Sequence, residues 1–195
     1  MKRQLDRIFV FKDCRKYLID EFGIKPAEVI WNHANEEYGR LVSKEPDAER
    51  YAKSYAFPAV AIYRALEIQV PGEALAVSRA FGTETGLKLK KLFGRITARP
   101  GIPKLMWKNM DKIAAKMSEG YEVENLQVES GVCNMDIVGC PLHDKAKELG
   151  TPEAVQMICC MDKEYMNGFR GVDYKRTKSV AEGDDCCDYR LKKSK

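Results

Sequence analysis

The sequence has no hydrophobic run long enough to cross a membrane, because no window approaches the roughly 18 uninterrupted apolar residues that a spanning helix needs. The first residues, MKRQLDRIFVFKDCRK, place charges on both sides of a short apolar run and lack the long apolar core of a signal peptide. These two absences predict a cytoplasmic protein with no membrane partner.

An excess of one sign of charge is also missing. The 33 Lys and Arg residues are mixed with 29 Asp and Glu residues, the formal net charge is +4, and the one basic run, RLKKSK, is short. This balance argues against nucleic acid as a partner. Hydrophobic residues make up 45% of the 195 residues, which is enough to form a buried core.

The chain contains seven cysteines but no C-x-x-C motif, which argues against a zinc ribbon or a thioredoxin-type redox site. In a reducing cytoplasm, an odd number of cysteines is expected to be free, catalytic or bound to metal rather than paired. Each cysteine also fits a packing role, since cysteine is often buried as a small hydrophobic residue.

The first part of the chain is predicted to be helical, because apolar residues recur there at helical spacing. Pro58 predicts a kink or break near Phe57. Gly82 and Gly86 predict a third helix that is loosened at both positions. A single fourth helix is predicted over 102–119.

The second part of the chain combines strands and helices. Alternating side chains predict a β-hairpin with strands at Glu122–Glu129 and Val132–Val138. A short helix is expected from Pro141 to a stop at Gly150, then a helix capped by Thr151, then two more strands. The predicted fold class is therefore α+β: N-terminal helices, then a β-hairpin, two helices and a second β-hairpin, forming an antiparallel sheet packed on helices.

Three of these predicted elements carry cysteines that could converge on one place. They are Cys140 at a helix start, Cys159 and Cys160 within the next helix, and Cys186 and Cys187 at the last strand. A thiol at a helix N-terminus is a candidate nucleophile, because the unpaired N–H groups and the helix dipole favour the thiolate. Cys140 fits this description, and His143 follows in the same turn as a proton partner.

Four segments between residues 57 and 191 form a recognisable set: FPAVAIYRALE, VGCPLHDKAKELGTPE, CCMDKEYMNGF and YKRTKSVAEGDDCCDYRL. Together they resemble the L-2-amino-thiazoline-4-carboxylic acid hydrolase family, over about Tyr51 to Leu191. The last segment is the most specific, and the residues in register there are Arg176, Thr177, Gly183, Cys187, Asp188 and Tyr189. In the same register, Cys140, Cys159 and Asp162 take family positions, and Cys160 and Cys186 are incidental neighbours.

This resemblance implies a hydrolase that opens a small cyclic isothiourea or amidine carboxylate, such as 2-amino-thiazoline-4-carboxylate, to a carbamoyl-cysteine. The catalytic candidates are Cys140, Cys159, Asp162, Cys187 and His143. The substrate-binding candidates are Arg176, Thr177 and Asp188. A guanidinium can hold a carboxylate in a two-pronged way, so Arg176 is expected to bind the substrate carboxylate, with Asp188 orienting Arg176 or Arg190.

Two mechanisms stay open for this hydrolase. In the first, the Cys140 thiolate attacks the substrate, water later releases the product, and Asp162 or His143 moves the protons. In the second, Cys140, Cys159 and Cys187 hold a zinc ion, and a metal-bound water attacks. Zinc is therefore the one cofactor that the cysteines indicate.

The order of helices and hairpins also resembles 4-vinyl-reductase-type ligand-binding domains and transport-particle subunits. That resemblance implies the alternative function, a non-catalytic small-molecule or metal sensor. We expect residues 1–50 to form an N-terminal helical region and residues 51–195 a hydrolase-like α+β domain, the two making one compact unit. The expected partners are a small-molecule substrate and, through the N-terminal helices, a second copy of the chain in a homodimer.

Overall fold

A computed structural model describes residues 4–194 of the chain. Contacts between Cα atoms divide the chain into two units, and each is made of two separate stretches. The first unit comprises Met1–Gly82 and Leu142–Ile158, and the second comprises Thr83–Pro141 and Cys159–Lys195. Across the described residues, no helix combines the length and the apolar composition that a membrane span requires.

Residues 4–194 form eight α-helices and four β-strands, so the predicted α+β fold class is confirmed. The helices are α1 (Cys14–Phe22), α2 (Ile24–Lys44), α3 (Phe57–Gln69), α4 (Ala74–Thr97), α5 (Ile102–Lys108), α6 (Met110–Met117), α7 (Pro141–Glu148) and α8 (Gln156–Met166). The strands are β1 (Glu122–Glu129), β2 (Val132–Gly139), β3 (Val172–Lys175) and β4 (Cys187–Lys193). Short 3-10 turns lie at Leu5–Arg7, Pro152–Val155 and Val180–Glu182.

The first unit has a helical core in which α2 packs on α1 and α3. Trp31 on α2 and Phe57 and Ile62 on α3 are almost completely buried. The predicted break near Phe57 is a change of helix type, because a π-helical turn, Ala52–Ala56, leads into α3. Pro58 is tolerated in the first turn of α3, where an amide N–H would lack an intrahelical acceptor.

The prediction of a loosened third helix was wrong, because α4 runs unbroken through both glycines. A Cβ atom at Gly82 would collide with the carbonyl oxygen of Met157 within the first unit. A Cβ atom at Gly86 would lie 2.5 Å from the carbonyl oxygen of Met161 within the second unit. Both glycines are therefore positions of close backbone packing rather than helix breaks.

The single helix predicted over 102–119 was also wrong. The structure has α5 and α6 there, separated at Asn109, which has φ −116° and ψ 25°. The side-chain Nδ2 of Asn109 donates to the carbonyl oxygen of Leu105 over 2.8 Å. Asparagine commonly competes in this way for backbone partners, which ends the first helix and starts the second.

The second unit contains a four-stranded antiparallel sheet with the order β1-β2-β4-β3. The predicted hairpin is confirmed, and β2 extends one residue further, to Gly139. An irregular register between Glu124 and Gln127 places Asn125 at φ +51°, which explains the imperfect alternation in this strand. The core of this unit is formed by side chains of α6, α8, β2 and β4: Met110, Ala114, Cys133, Met135, Ile137, Met166, Cys187, Tyr189 and Leu191.

The side chain of Thr151, predicted to cap a helix, makes a different contact. Thr151 makes no side-chain capping bond to the 3-10 turn that follows it. Instead its hydroxyl oxygen accepts a hydrogen bond from Nε of Arg64 over 3.1 Å, and Arg64 also donates to the carbonyl oxygen of Leu149. In the first unit, the hydrogen bonds of Arg64 thus stabilise the segment that follows α7.

Candidate functional site

A largely buried ionic cluster lies in the second unit, where α8 meets β4 and the loop after β3. Nη1 of Arg176 donates to Oδ2 of Asp162 over 3.0 Å and to the Tyr189 hydroxyl over 3.2 Å. Nη2 of Arg176 donates to the carbonyl oxygen of Cys159 over 2.8 Å. The Tyr189 hydroxyl in turn donates to the same Asp162 oxygen over 2.5 Å.

The local sequence explains how these groups meet. Cys159 and Asp162 are three residues apart on α8 and therefore share one face of the helix. Along β4 the buried positions alternate, so that Cys187, Tyr189 and Leu191 all point to the same side of the sheet. Arg176, the residue after β3, has a side chain that is only 5% exposed. The site is therefore formed by one helix face and one sheet face.

Two groups of the cluster, Arg176 and Tyr189, keep their protons at neutral pH. Burial alone would lower the pKa of Arg176, but the surrounding Tyr189, Tyr174 and Asp162 raise it above its usual range. Burial and the neighbouring Asp162 carboxylate raise the pKa of Tyr189 well above that of a free tyrosine. Arg176 is thus a permanent cation, and Tyr189 is a neutral hydrogen-bond donor.

The three cysteines that the sequence grouped together, Cys140, Cys159 and Cys187, lie in the second unit, and their common role stays a prediction. Burial raises the pKa of Cys159, and charges on Cys140, Cys187 and Asp162 raise it further, while Arg176 acts in the opposite direction. The pKa of Cys159 therefore responds to Cys140 and Cys187 as well as to Asp162 and Arg176. Each of the three cysteines, like every cysteine that the structure describes, is free of disulfide bonds.

Cys187 is buried beside the 3-10 turn that follows β3. Burial raises its pKa, although the N–H of Val180, which donates to Sγ over 3.3 Å, and the charge of Arg176 both act to lower it. Cys159 and Cys187 are therefore neutral thiols at neutral pH. Since the thiolate is the nucleophilic form, neither of them is activated in this arrangement.

Cys140 and His143 are the other two candidates from the helix start. Cys140 is half-buried, packs against the core of the second unit, and immediately precedes α7. His143 belongs to the first unit, where its Nδ1 atom lies 3.9 Å from Oδ1 of Asp144. The catalytic roles assigned to Cys140 and His143 stay predictions.

Asp188 and Thr177 fasten the loop that follows β3. Oδ1 of Asp188 accepts hydrogen bonds from the backbone N–H groups of Thr177 and Lys178, over 2.7 and 2.6 Å, and Oδ2 accepts from the Thr177 hydroxyl over 2.7 Å. Burial acts against ionisation of Asp188, but these hydrogen bonds lower its pKa overall. The ion pairs predicted for Asp188 are formed by other acids, because Arg176 pairs with Asp162 and Arg190 with Asp136.

A cleft with about 340 Å³ of empty volume, partly open to solvent, opens next to this cluster. It is lined by Cys159, Cys160, Lys163, Arg176, Thr177, Lys178, Ser179 and Glu182. Lys178 pairs with Asp185 over 2.8 Å, whereas Lys163 is exposed to solvent. The sequence analysis missed Lys163, although its spacing of four residues from Cys159 on a helix could have placed it on the same face.

Two tyrosines at this site were also missed. The hydroxyl of Tyr174, on β3, is buried and has no hydrogen-bond partner among the described residues, and its ring centroid lies 5.8 Å from that of Tyr189. Tyr165, on α8, is partly buried, and burial together with the Asp162 carboxylate raises its pKa. The alternation of β3 and the helical spacing from Asp162 were the available signals for these two residues.

The residues predicted to bind zinc are Cys140, Cys159 and Cys187. Among residues 4–194, no group of three or more His, Cys, Asp or Glu side chains has a geometry that could hold a metal ion. A structural zinc site needs its thiolates gathered in a tetrahedral set. The zinc alternative stays a prediction, which elemental analysis of purified protein tests.

The fold and the thiol-rich cluster define an α+β protein with a polar site between a helix and a sheet. The profile of one family, described as L-2-amino-thiazoline-4-carboxylic acid hydrolase, matches residues 49–191. The chain therefore belongs to this family, as the sequence motifs predicted. No curated protein is significantly similar to the chain.

Several solved structures are similar to the chain at low identity. An H-NOX protein from K. algicida in the Fe(II) unliganded state has 10% identity and a TM-score of 0.40, with 95% of each chain covered. An H-NOX protein from S. oneidensis in the Fe(II)NO state has 13% identity and a TM-score of 0.39, covering 95% of this chain and 98% of that one. A trafficking protein particle complex subunit 3 from Naegleria fowleri, covalently bound to palmitic acid, has 16% identity and a TM-score of 0.31, covering 84% and 96%. Scores this low support no conclusion about this chain.

Proposed function

We propose that this chain is a hydrolase that opens a small cyclic isothiourea carboxylate, such as 2-amino-thiazoline-4-carboxylate, to a carbamoyl-cysteine. Membership of the family supports the substrate class. The observation that carries the proposal is the buried cluster of Arg176, Asp162 and Tyr189 in the second unit, where Arg176 also donates to the carbonyl oxygen of Cys159. A nucleophile, a proton carrier and a fixed cation are the groups that this ring opening needs.

Cys140 is the proposed nucleophile, because Cys159 and Cys187 have raised pKa values and stay protonated. Its thiolate sulfur bonds to the ring carbon that lies between nitrogen and sulfur. The bond from that carbon to the ring sulfur or ring nitrogen then breaks, and the released atom takes a proton. Water next attacks the same carbon and gives up a proton, and the bond to Cys140 breaks. The sum is the addition of one water molecule to the substrate.

Asp162 is the proposed proton carrier. Its carboxylate accepts hydrogen bonds from Arg176 and Tyr189, which hold it in one orientation at the base of the cluster. Arg176 keeps a positive charge beside it at every accessible pH, since its own pKa is raised. In this arrangement the Asp162 carboxylate can accept a proton, pass it on and become ionised again beside the Arg176 cation.

The substrate carboxylate needs a cation that faces the cleft. The guanidinium of Arg176 lines the cleft but already donates to Asp162, Tyr189 and the carbonyl oxygen of Cys159. Lys163 lines the same cleft and is exposed to solvent. We therefore assign first contact with the carboxylate to Lys163, with Arg176 adding long-range attraction.

Turnover of 2-amino-thiazoline-4-carboxylate by the purified full chain tests this function. Mass spectrometry follows the gain of one water molecule, and a thiol reagent detects a product in which the bond to sulfur has broken. Cys140→Ser is expected to lose turnover by about 1000-fold or more, as for loss of other catalytic nucleophiles. Cys160→Ser is the matched control, because Cys160 lines the cleft without an assigned role in the reaction. Full activity in Cys140→Ser would show that the nucleophile is a different group.

A second candidate function, a non-catalytic small-molecule sensor, is favoured by one observation. The Tyr174 hydroxyl is buried without a partner among the described residues, and such a group is costly unless something bonds to it. A bound ligand would satisfy it. Thermal stabilisation of the wild-type chain by 2-amino-thiazoline-4-carboxylate, with no product formed, would support the sensor and contradict the hydrolase.

A further inference from the structure

A stretch of the second unit, from Lys88 to Lys116, is strongly basic. It contains one acid, Asp111, and nine cations, of which Lys88 and Lys116 pair with Glu84 and Glu119 just outside the stretch. The nine are Lys88, Lys90, Lys91, Arg95, Arg99, Lys104, Lys108, Lys112 and Lys116. The net charge of the whole chain is only +4, because acids elsewhere offset these residues. A local concentration of positive charge attracts anionic surfaces even when the whole molecule is nearly balanced.

One face of α4 carries aliphatic side chains among these cations. Leu92 and Ile96 are 44% and 42% exposed, although large aliphatic residues usually prefer the interior. Lys91 and Arg95 are exposed on the same face, since residues four apart are neighbours on a helix. Within the described part of the chain, neither of these two cations forms an ion pair. We call Lys91, Leu92, Arg95 and Ile96 the basic–aliphatic face.

A groove in the same unit adds to this positive charge. It has about 900 Å³ of empty volume, and its charged lining residues are Lys90, Lys91, Arg95 and Arg170. Its other lining residues are uncharged. Lys90 lies 3.9 Å from Glu164, a long ion pair that leaves most of its charge uncompensated. A groove whose charged lining residues are all cations suits a phosphate group.

We propose that the basic–aliphatic face docks on the surface of an anionic lipid bilayer. Cations beside exposed aliphatic residues are the combination that binds at a lipid interface, where the charges meet headgroups and the aliphatic side chains enter the acyl boundary. The groove would then receive a headgroup phosphate. This docking is at the surface and requires no membrane-spanning helix.

The chemistry of the face favours lipid over single-stranded nucleic acid. Binding of single strands relies on exposed aromatic rings that stack on bases. The aromatic residue within this part of α4, Phe93, is instead half-buried and stacks on Phe169 with 4.8 Å between ring centroids. The exposed apolar residues of the face are all aliphatic.

Co-sedimentation of the full chain with vesicles tests the proposal. We expect binding to vesicles of phosphatidylcholine mixed with phosphatidylserine, and little binding to phosphatidylcholine alone. Lys91→Glu/Arg95→Glu should weaken binding by about tenfold or more, since each basic residue near an anionic surface contributes substantially. Lys16→Glu/Lys25→Glu is the matched control, because these exposed lysines of the first unit undergo the same change of charge.

The aliphatic residues are tested separately. Leu92→Ser/Ile96→Ser should weaken vesicle binding by about fivefold without changing net charge. Ile24→Ser/Ile68→Ser is its control, since these residues of the first unit are 68% and 64% exposed. Circular dichroism of each variant establishes that it is folded.

Three outcomes would overturn the proposal. They are equal binding to neutral and anionic vesicles, equal loss in the control variants, and no binding to either vesicle. Binding to single-stranded RNA that only the charge variant weakens, with no vesicle binding, would identify nucleic acid as the partner instead. Thiazoline turnover is measured on the same samples, so that failure of the lipid proposal and failure of the hydrolase proposal are distinguished.

Discussion

Arg176 and Asp162 form an ion pair inside the second unit, with 3.0 Å between Nη1 and Oδ2 and side-chain exposures of 5% and 18%. The pair joins the loop after β3 to α8. Both charges also have neutral partners, because Tyr189 contacts each of them. In a buried pair of this kind the two charges are stable only together, and loss of one partner leaves the other uncompensated.

Arg176→Met is therefore expected to lower the free energy of unfolding by about 3 kcal/mol or more. The substitution keeps a long apolar side chain but leaves the Asp162 carboxylate without its cation. Urea denaturation followed by circular dichroism measures the change. The double variant Arg176→Met/Asp162→Leu should recover much of the lost stability, because it removes both charges.

The control for this prediction is an exposed ion pair. Lys116 and Glu119 have side-chain exposures of 79% and 66%. Lys116→Met should change the free energy of unfolding by less than about 1 kcal/mol, since solvent screens exposed pairs. If Arg176→Met were equally mild, the Arg176–Asp162 pair would not be the stabilising contact described here.

Gly86→Ala is expected to destabilise the protein by about 1–3 kcal/mol, as overpacking generally does. Its new Cβ atom would lie 2.5 Å from the carbonyl oxygen of Met161. Gly39→Ala, in α2, should have the opposite effect, because a Cβ atom there meets nothing within 4 Å and alanine is the better helix former by about 1 kcal/mol. Thermal unfolding of the two variants measures the difference. Equal effects of the same sign would contradict the close packing at Gly86.

The glycines of α4 also illustrate which parts of the fold can be predicted from the sequence. Alternating side chains identified the β1–β2 hairpin, because the strand pattern is local. The pattern could not show that α8 packs against α4 at Gly86, so this glycine was predicted to loosen the helix. Asn109 divides α5 from α6 through its own side-chain hydrogen bond, which competes with a backbone pattern that otherwise favours one helix.

For the candidate site, residue types were predictable and partners were not. The sequence grouped Cys140, Cys159 and Cys187; all three lie in the second unit, and their common role stays a prediction. The sequence also led us to expect Asp188 to orient Arg190 or Arg176 across the last hairpin, but Arg190 pairs with Asp136 and Arg176 with another acid. The actual partner, Asp162, comes from α8, and only tertiary packing of that helix on the sheet determines this choice.

The reactivity of the thiols is the next prediction. Five cysteines have raised pKa values, with burial as the largest cause in each: Cys14, Cys133, Cys159, Cys186 and Cys187. At neutral pH we expect these thiols to react slowly with a thiol reagent in the folded protein, and all seven to react after unfolding. The slow rates should keep increasing above pH about 9, since the thiolate fraction of each is still growing there.

Mass spectrometry of labelled peptides assigns each rate to a residue. The half-buried Cys140 and Cys160 are expected to be labelled before the buried Cys14. Rapid labelling of Cys187 at neutral pH would contradict the neutral thiol described here, and it would move the proposed nucleophile from Cys140 to Cys187.

Alkaline pH should destabilise the second unit through its tyrosines. Burial raises the pKa of Tyr165, Tyr174 and Tyr189 above the value of about 10 that an unfolded chain has. The folded state then binds these protons more tightly, so their stabilising contribution is complete below pH about 10 and is lost as the pH rises further. Raised thiol pKa values act in the same direction from pH about 8.5.

Tyr174→Phe tests this pH dependence most directly. The Tyr174 hydroxyl has no hydrogen-bond partner among the described residues, so its removal should cost little stability at neutral pH. Above pH about 10 the variant should lose stability less steeply than the wild type, because one titrating group is gone. Tyr55→Phe, at a residue that is 38% exposed, is the control and should leave the slope unchanged. Parallel curves of unfolding free energy against pH for wild type and Tyr174→Phe would mean that Tyr174 ionises equally well in the folded and unfolded chains, and its buried position beside Tyr189 would then be wrong.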